Sequence, residues 1–179
     1  MATPTTLPAT FVAGNVLTAA QLNGVVDNFQ DIAIFSEDQA SGTEGGTFTS
    51  GAWQKRTLNT TRVNNIGGCT ISSSVVTLAT AGTYYVRGMG QAFKVNGHQM
   101  RIQNTTAATT AALGQTCYTA NGDNVVTMGS VEGIITTTVS TTIELQHRCG
   151  TTVTGNGLGA AQSFGGGEVY AQLYIARIA

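Results

Sequence analysis

From residue 48 onward the chain is a succession of short β-branched and aromatic runs cut by glycine and asparagine turn pairs, and that pattern leaves few folds open. Strands are expected at 52–58, 61–66, 74–78, 83–93, 99–104, 110–118, 125–135, 142–149 and 168–178. Turns fall at Gly67-Gly68, Ala81-Gly82, Asn96-Gly97 and Asn121-Gly122, and a long glycine-rich loop occupies 155–167. Many short strands at this spacing read as an all-β jelly roll or related sandwich. No repeat of fixed period is present, which argues against a propeller or β-helix.

The last strand carries the most information. Val169, Ala171, Leu173 and Ile175 share one face, while Tyr170, Gln172 and Tyr174 share the other. A solvated outer face would carry charges, so two tyrosines and a glutamine there predict that this face is covered, by another subunit.

Composition agrees. Of 179 residues 9% are charged, and the chain has 23 glycines, 2 prolines and 30 threonines, a balance that disfavours helix and suits strands and turns. The length suits one β domain with a real core plus a short additional element. A formal net charge of -1 supplies no basic field for nucleic acid, and no apolar run reaches the length of a helical membrane span. The first residues, Met-Ala-Thr-Pro-Thr-Thr-Leu-Pro, lack the basic and apolar regions of a cleaved secretory signal, so synthesis in a cytosol is expected. Cys69, Cys117 and Cys149 have neither disulfide nor zinc spacing and are expected as free, buried thiols.

The N-terminal part, residues 1–40, differs in kind. Leu17-Thr18-Ala-Ala-Gln21-Leu22 has the capping-box and staple arrangement of a helix start, and a helix over residues 19–35 is expected. Leu22, Val25, Phe29 and Ile32 would form its apolar stripe. Two placements for the stripe stay open: a three-helix bundle between copies, or the chain's own β domain. Residues 36–51 read as linker, and the β domain as 48–179.

The order of motifs resembles a known group. The tryptophan-bearing Ala52-Trp-Gln-Lys-Arg-Thr-Leu-Asn59, the central Gly82-Thr-Tyr-Tyr-Val86, the Ile143-Glu-Leu-Gln-His147 strand and the aromatic last strand resemble the tumour-necrosis-factor-like and complement-globular-head jelly rolls, and more closely their versions in bacteriophage virion proteins. The segment Thr10-Phe-Val-Ala-Gly-Asn-Val-Leu-Thr-Ala-Ala-Gln-Leu-Asn23 looks like a leader found on phage structural proteins. The resemblance implies a homotrimer with Tyr170, Gln172, Tyr174 and Trp53 at its interface. It also implies a virion location, with docking on capsid or tail proteins through Phe11, Val12, Leu17, Leu22, Val25, Phe29 and Ile32. A capsid decoration, head fibre or short appendage is the function it favours; a tail-fibre or tail-tip module gripping a host glycan or surface protein is the alternative.

Catalysis has little to work with. His98 and His147 are the whole supply of neutral-pH bases; His147 is in phase with Ile143 and Leu145 and reads as a core residue, and His98 as a turn neighbour. Carboxylates are scattered singly, so no enzyme and no cofactor are expected. Trp53 suits a core or inter-subunit anchor better than a sugar platform. The loops 103–124 and 150–167 are the better places for recognition, with Asn121, Asp123, Asn124 and Asn156 as candidate ligand residues.

Overall fold

A computed structural model describes residues 16, 18, 19 and 31–179. Eleven strands follow one another: β1 (Ile32–Gln39), β2 (Gln54–Lys55), β3 (Thr60–Asn64), β4 (Cys69–Ser72), β5 (Val75–Leu78), β6 (Gly82–Phe93), β7 (Asn96–Asn104), β8 (Thr109–Thr119), β9 (Val126–Thr137), β10 (Thr141–Cys149) and β11 (Glu168–Arg177). They form two antiparallel sheets, one in the order β3-β1-β11-β6-β9 and the other β4-β5-β10-β7-β8, with β2 paired to β10. This is the expected all-β sandwich.

Alternation builds the interior. Tyr84 and Val86 of β6, Leu173 and Ile175 of β11, and Val131 and Ile135 of β9 point inward against Met100 and Ile102 of β7 and Ile143 and Leu145 of β10. Each fully buried Leu, Ile or Val of this set contributes about 1.5–3 kcal/mol by leaving water. On one side the sheets touch through β8 and β9, where Gly114 packs so close that a Cβ would overlap the Ser130 carbonyl. Only glycine fits there.

The strand register also sorts the loops. Ile32 pairs with Ala176 and Gln39 with Glu168, so β1 enters beside the last residues of the chain and runs toward the opposite end. That far end gathers residues 40–53, the β6–β7 turn, the β8–β9 turn and residues 150–167. Two of these segments are zipped together: Phe48 and Val153 exchange backbone bonds of 2.9 and 3.0 Å, Gly45 N donates to Gly159 O, and Gly46 N to Gly155 O. Beneath them Phe48, Ala92, Val95 and Cys149 make a second small core.

Several expectations are corrected. The helix over 19–35 falls almost wholly outside the described residues, but its last part, Ile32 to Phe35, is strand β1 in the middle of a sheet. A boundary at residue 40 followed by a linker is therefore wrong for residues 32–39. Glu37 and Asp38 resembled linker acids, yet Glu37 is buried against Arg56 and Asp38 pairs with Arg62. The hairpin β4–β5 was only half anticipated; its turn is Ser73-Ser74, both left-handed at φ 48° and 62°. Asn96 and Gly97 open β7, the turn lying two residues earlier at Lys94 and Val95, with Lys94 and Asn96 both left-handed at φ 58° and 60°.

Candidate self-association face and loop end

The outward side of β1, β11, β6 and β9 carries an apolar cluster. Ladder pairing sets Glu132, Arg87 and Tyr174 in one row with Ile34, then Ser130, Met89 and Gln172 with Ser36, and Ile134 beside Tyr85. Tyr85 and Tyr174 meet edge to face at 6.2 Å between centroids, and the Tyr85 hydroxyl donates to Glu132 Oε2 at 3.0 Å, which raises its pKa. Ile34, Tyr85, Arg87, Met89, Gln172 and Tyr174 line a shallow hollow of about 320 Å³. A second hollow of about 300 Å³, sharing Arg87, lies between β8 and β9. Leu113, Met128 and Ile134 stand more than half exposed along that edge (59%, 51% and 62%). Exposed apolar side chains grouped in this way in a chain with so few charges make the face a candidate contact surface.

Of the residues expected on this face, Gln172 and Tyr174 are on it. Tyr170 is not. β11 carries a bulge: Glu37 pairs with Ala171 and Asp38 with Val169, so Tyr170 has no opposite number and its phase reverses. Its ring is 1% exposed, and its hydroxyl donates to Thr43 O at 2.6 Å inside the loop end. Val169, expected inside, is turned out. Trp53 is also elsewhere: it precedes β2 on the other sheet, its indole 4.4 Å from the Arg101 guanidinium carbon. Ile32 is half-buried on β1, while Phe11, Val12, Leu17, Leu22, Val25 and Phe29 lie outside the described residues. Sequence reasoning missed Ile34, Tyr85 and Met89, although the alternation of Tyr85 and Met89 with Tyr84 and Val86 was there to find them.

The candidate ligand residues gather at the far end. Asn121 is structural, its Nδ2 donating to Lys94 O at 2.6 Å and its amide to Asn96 Oδ1 at 3.1 Å. Asp123 and Asn124 are exposed in the β8–β9 turn, and Asn156 is half-buried in the β10–β11 loop, its carbonyl accepting from Gly159 N. The neighbouring loop is held by Glu168, whose Oε1 accepts from the amides of Ser163, Gly42 and Gln162, bonds that lower its pKa. Phe164 projects from this tethered loop, 91% exposed.

Below the loops lies a buried polar group. Arg56, fully enclosed, donates to Glu37 Oε2 at 2.7 Å and to the carbonyls of Leu158 and Tyr170 at 3.0 and 3.1 Å. Beside it, His98 Nδ1 and His147 Nε2 stand 3.0 Å apart and His98 Nε2 is 2.7 Å from the Thr127 hydroxyl. His147 Nδ1 has no partner among the described residues. An unfilled acceptor is tolerated better than a stranded N–H, so both rings are Nε2–H tautomers: His147 donates to His98, and His98 to Thr127. His98 is thus a core residue, not a turn neighbour, because β7 begins earlier than expected. Cys69 and Cys149 are buried and Cys117 half-buried, all three as free thiols.

No protein-family model matches the sequence, and no curated protein matches it. Solved structures do. The globular domain of zebrafish complement 1qA superposes with a TM-score of 0.55 at 11% identity, over 83% of this chain and 98% of that one. The fold is a jelly roll of the tumour-necrosis-factor and complement-head type. The jelly roll is shared also with the PRD1 vertex protein P5 (TM-score 0.53, 14% identity, 84% and 98% covered) and with murine APRIL (0.52, 7%, 81% and 97%). Identities this low establish the fold alone.

Proposed function

We infer that the protein is a structural module of a phage virion: a homotrimer packed on the β1–β11–β6–β9 face, attached to capsid or tail through the residues before Asp31 and projecting its loop end. The observation that carries this reading is the outward face itself, with Ile34, Tyr85, Met89 and Tyr174 around a hollow and Leu113, Met128 and Ile134 along the adjacent edge. Edge against face is a heterologous contact, which a ring of copies closes. The jelly roll shared with a virion vertex protein supports the location.

Polarity of the chain supports the attachment. β1 begins at the end opposite the loops, so a tether there leaves the loops outermost. The module acts by binding, without chemistry or cofactor: its two histidines are spent on each other in the interior.

Removing residues 1–30 tests the attachment. The truncated chain is expected to keep its β circular-dichroism spectrum and fail to co-sediment with particles lacking their own copy. Co-sedimentation of the truncated chain would move the docking surface onto the jelly roll.

A further inference from the structure

The outward side of the other sheet has a different chemistry. Lys55 stands opposite Gln146, and Gln146 opposite Arg101; Arg148 stands opposite Gln99, and Glu144 opposite Gln103. Trp53 lies against this array with its indole stacked on Arg101. The guanidinium is fixed in its plane, Nε donating to Gln146 Oε1 at 2.9 Å and one terminal nitrogen to Thr110 Oγ1 at 3.1 Å. Gln146 in turn donates to Glu144 Oε2 at 2.6 Å, and Thr110 donates to Gln103 Oε1 at 3.3 Å. The side chains are therefore ordered before any ligand arrives, which lowers the entropy cost of binding.

Charge narrows the choice of ligand. Three of the chain's 8 basic residues, Lys55, Arg101 and Arg148, share this face with a single carboxylate, Glu144, in a protein of formal net charge -1. Arg148 is exposed and has no ion-pair partner among the described residues. A stacked aromatic suits the apolar face of a sugar ring, amide and carboxylate ends suit its hydroxyls, and the free guanidinium suits an acid group. A nucleic-acid strand fits less well, because it needs several cations in series and would meet Glu144 in the middle of the array.

We propose that this face binds an acidic, uronate-bearing polysaccharide, with Trp53 and Arg101 as the stacking platform and Arg148 receiving the carboxylate, Lys55 being held by Glu144 and the Ser73 carbonyl. The site is on the β4-β5-β10-β7-β8 sheet, and its test does not depend on assembly.

Trp53 is the single tryptophan, so emission excited selectively at tryptophan reports on this site alone. The full chain is titrated with a galacturonate oligosaccharide, a neutral galactose oligosaccharide of equal length and a single-stranded oligonucleotide. A saturable change in emission with the galacturonate is expected, about tenfold weaker for the neutral chain and about tenfold weaker in Arg148→Gln, whose exposed side chain leaves folding untouched. Calorimetry on Trp53→Ala should show the binding lost while the solution mass stays that of the parent. No saturable response to galacturonate, equal binding of the neutral sugar, or tighter binding of the oligonucleotide would each overturn the proposal.

Discussion

Arg56 and Glu37 meet at 2.7 Å in an interior where neither side chain is more than 2% exposed. Their attraction offsets a large desolvation cost, which burial shows by raising the Glu37 pKa and lowering that of Arg56. The pair ties β1 to the segment between β2 and β3 and, through the Leu158 and Tyr170 carbonyls, to the loop end.

Removing one partner leaves the other buried and uncompensated. Arg56→Met should cost about 3–5 kcal/mol in denaturant unfolding, and adding Glu37→Leu should restore much of it. A double variant as unstable as the single one would show that the carbonyl contacts, not the ion pair, dominate.

The two histidines give stability a pH dependence of definite sign. Burial lowers His98 to about 4, and His147 falls well below its ordinary 6.5 through burial, Arg56 and His98. Both are neutral when folded, and the unfolded chain binds more protons below about pH 6.5, so stability is full above that pH and is lost between it and about 4. Glu37, with its raised pKa, works in the opposite sense, so the histidines must be isolated by substitution. His98→Gln should flatten the fall in unfolding midpoint between pH 6.5 and 4.5; an unchanged slope would assign it elsewhere.

Thiol reactivity should follow burial. The Cys69 and Cys149 thiols are pushed up to about 11 by burial, whereas Cys117 is half-buried with its Sγ 3.6 Å from Met128 O. Alkylation of the native protein followed by mass spectrometry should mark Cys117 first, with the other two reacting on unfolding. Early labelling of Cys69 would contradict the packing of the main core.

Much of the fold was legible because β5, β6, β7, β9 and β10 alternate in burial along most of their length. β1 was not, because Ile32-Ala-Ile-Phe35 is apolar on both faces, which a strand covered on each side requires but periodicity cannot distinguish from a helix. The reversal at Tyr170 was equally hidden, since a bulge has no local signature in Glu168-Val-Tyr-Ala. Gln172 and Tyr174 were placed correctly by simple alternation beyond it. Pairing of His98 with His147 joins positions 49 residues apart and required the sheet register.

Self-association through the β1–β11–β6–β9 face is read from the mass of the full chain by light scattering during size exclusion at micromolar concentration. Three times the chain mass is predicted. In Tyr85→Asp with Tyr174→Asp, which sets carboxylates into the hollow where they would be desolvated on contact, one chain mass is predicted with the β spectrum retained. A parent protein that is already monomeric, or a double variant that stays assembled, would contradict the account.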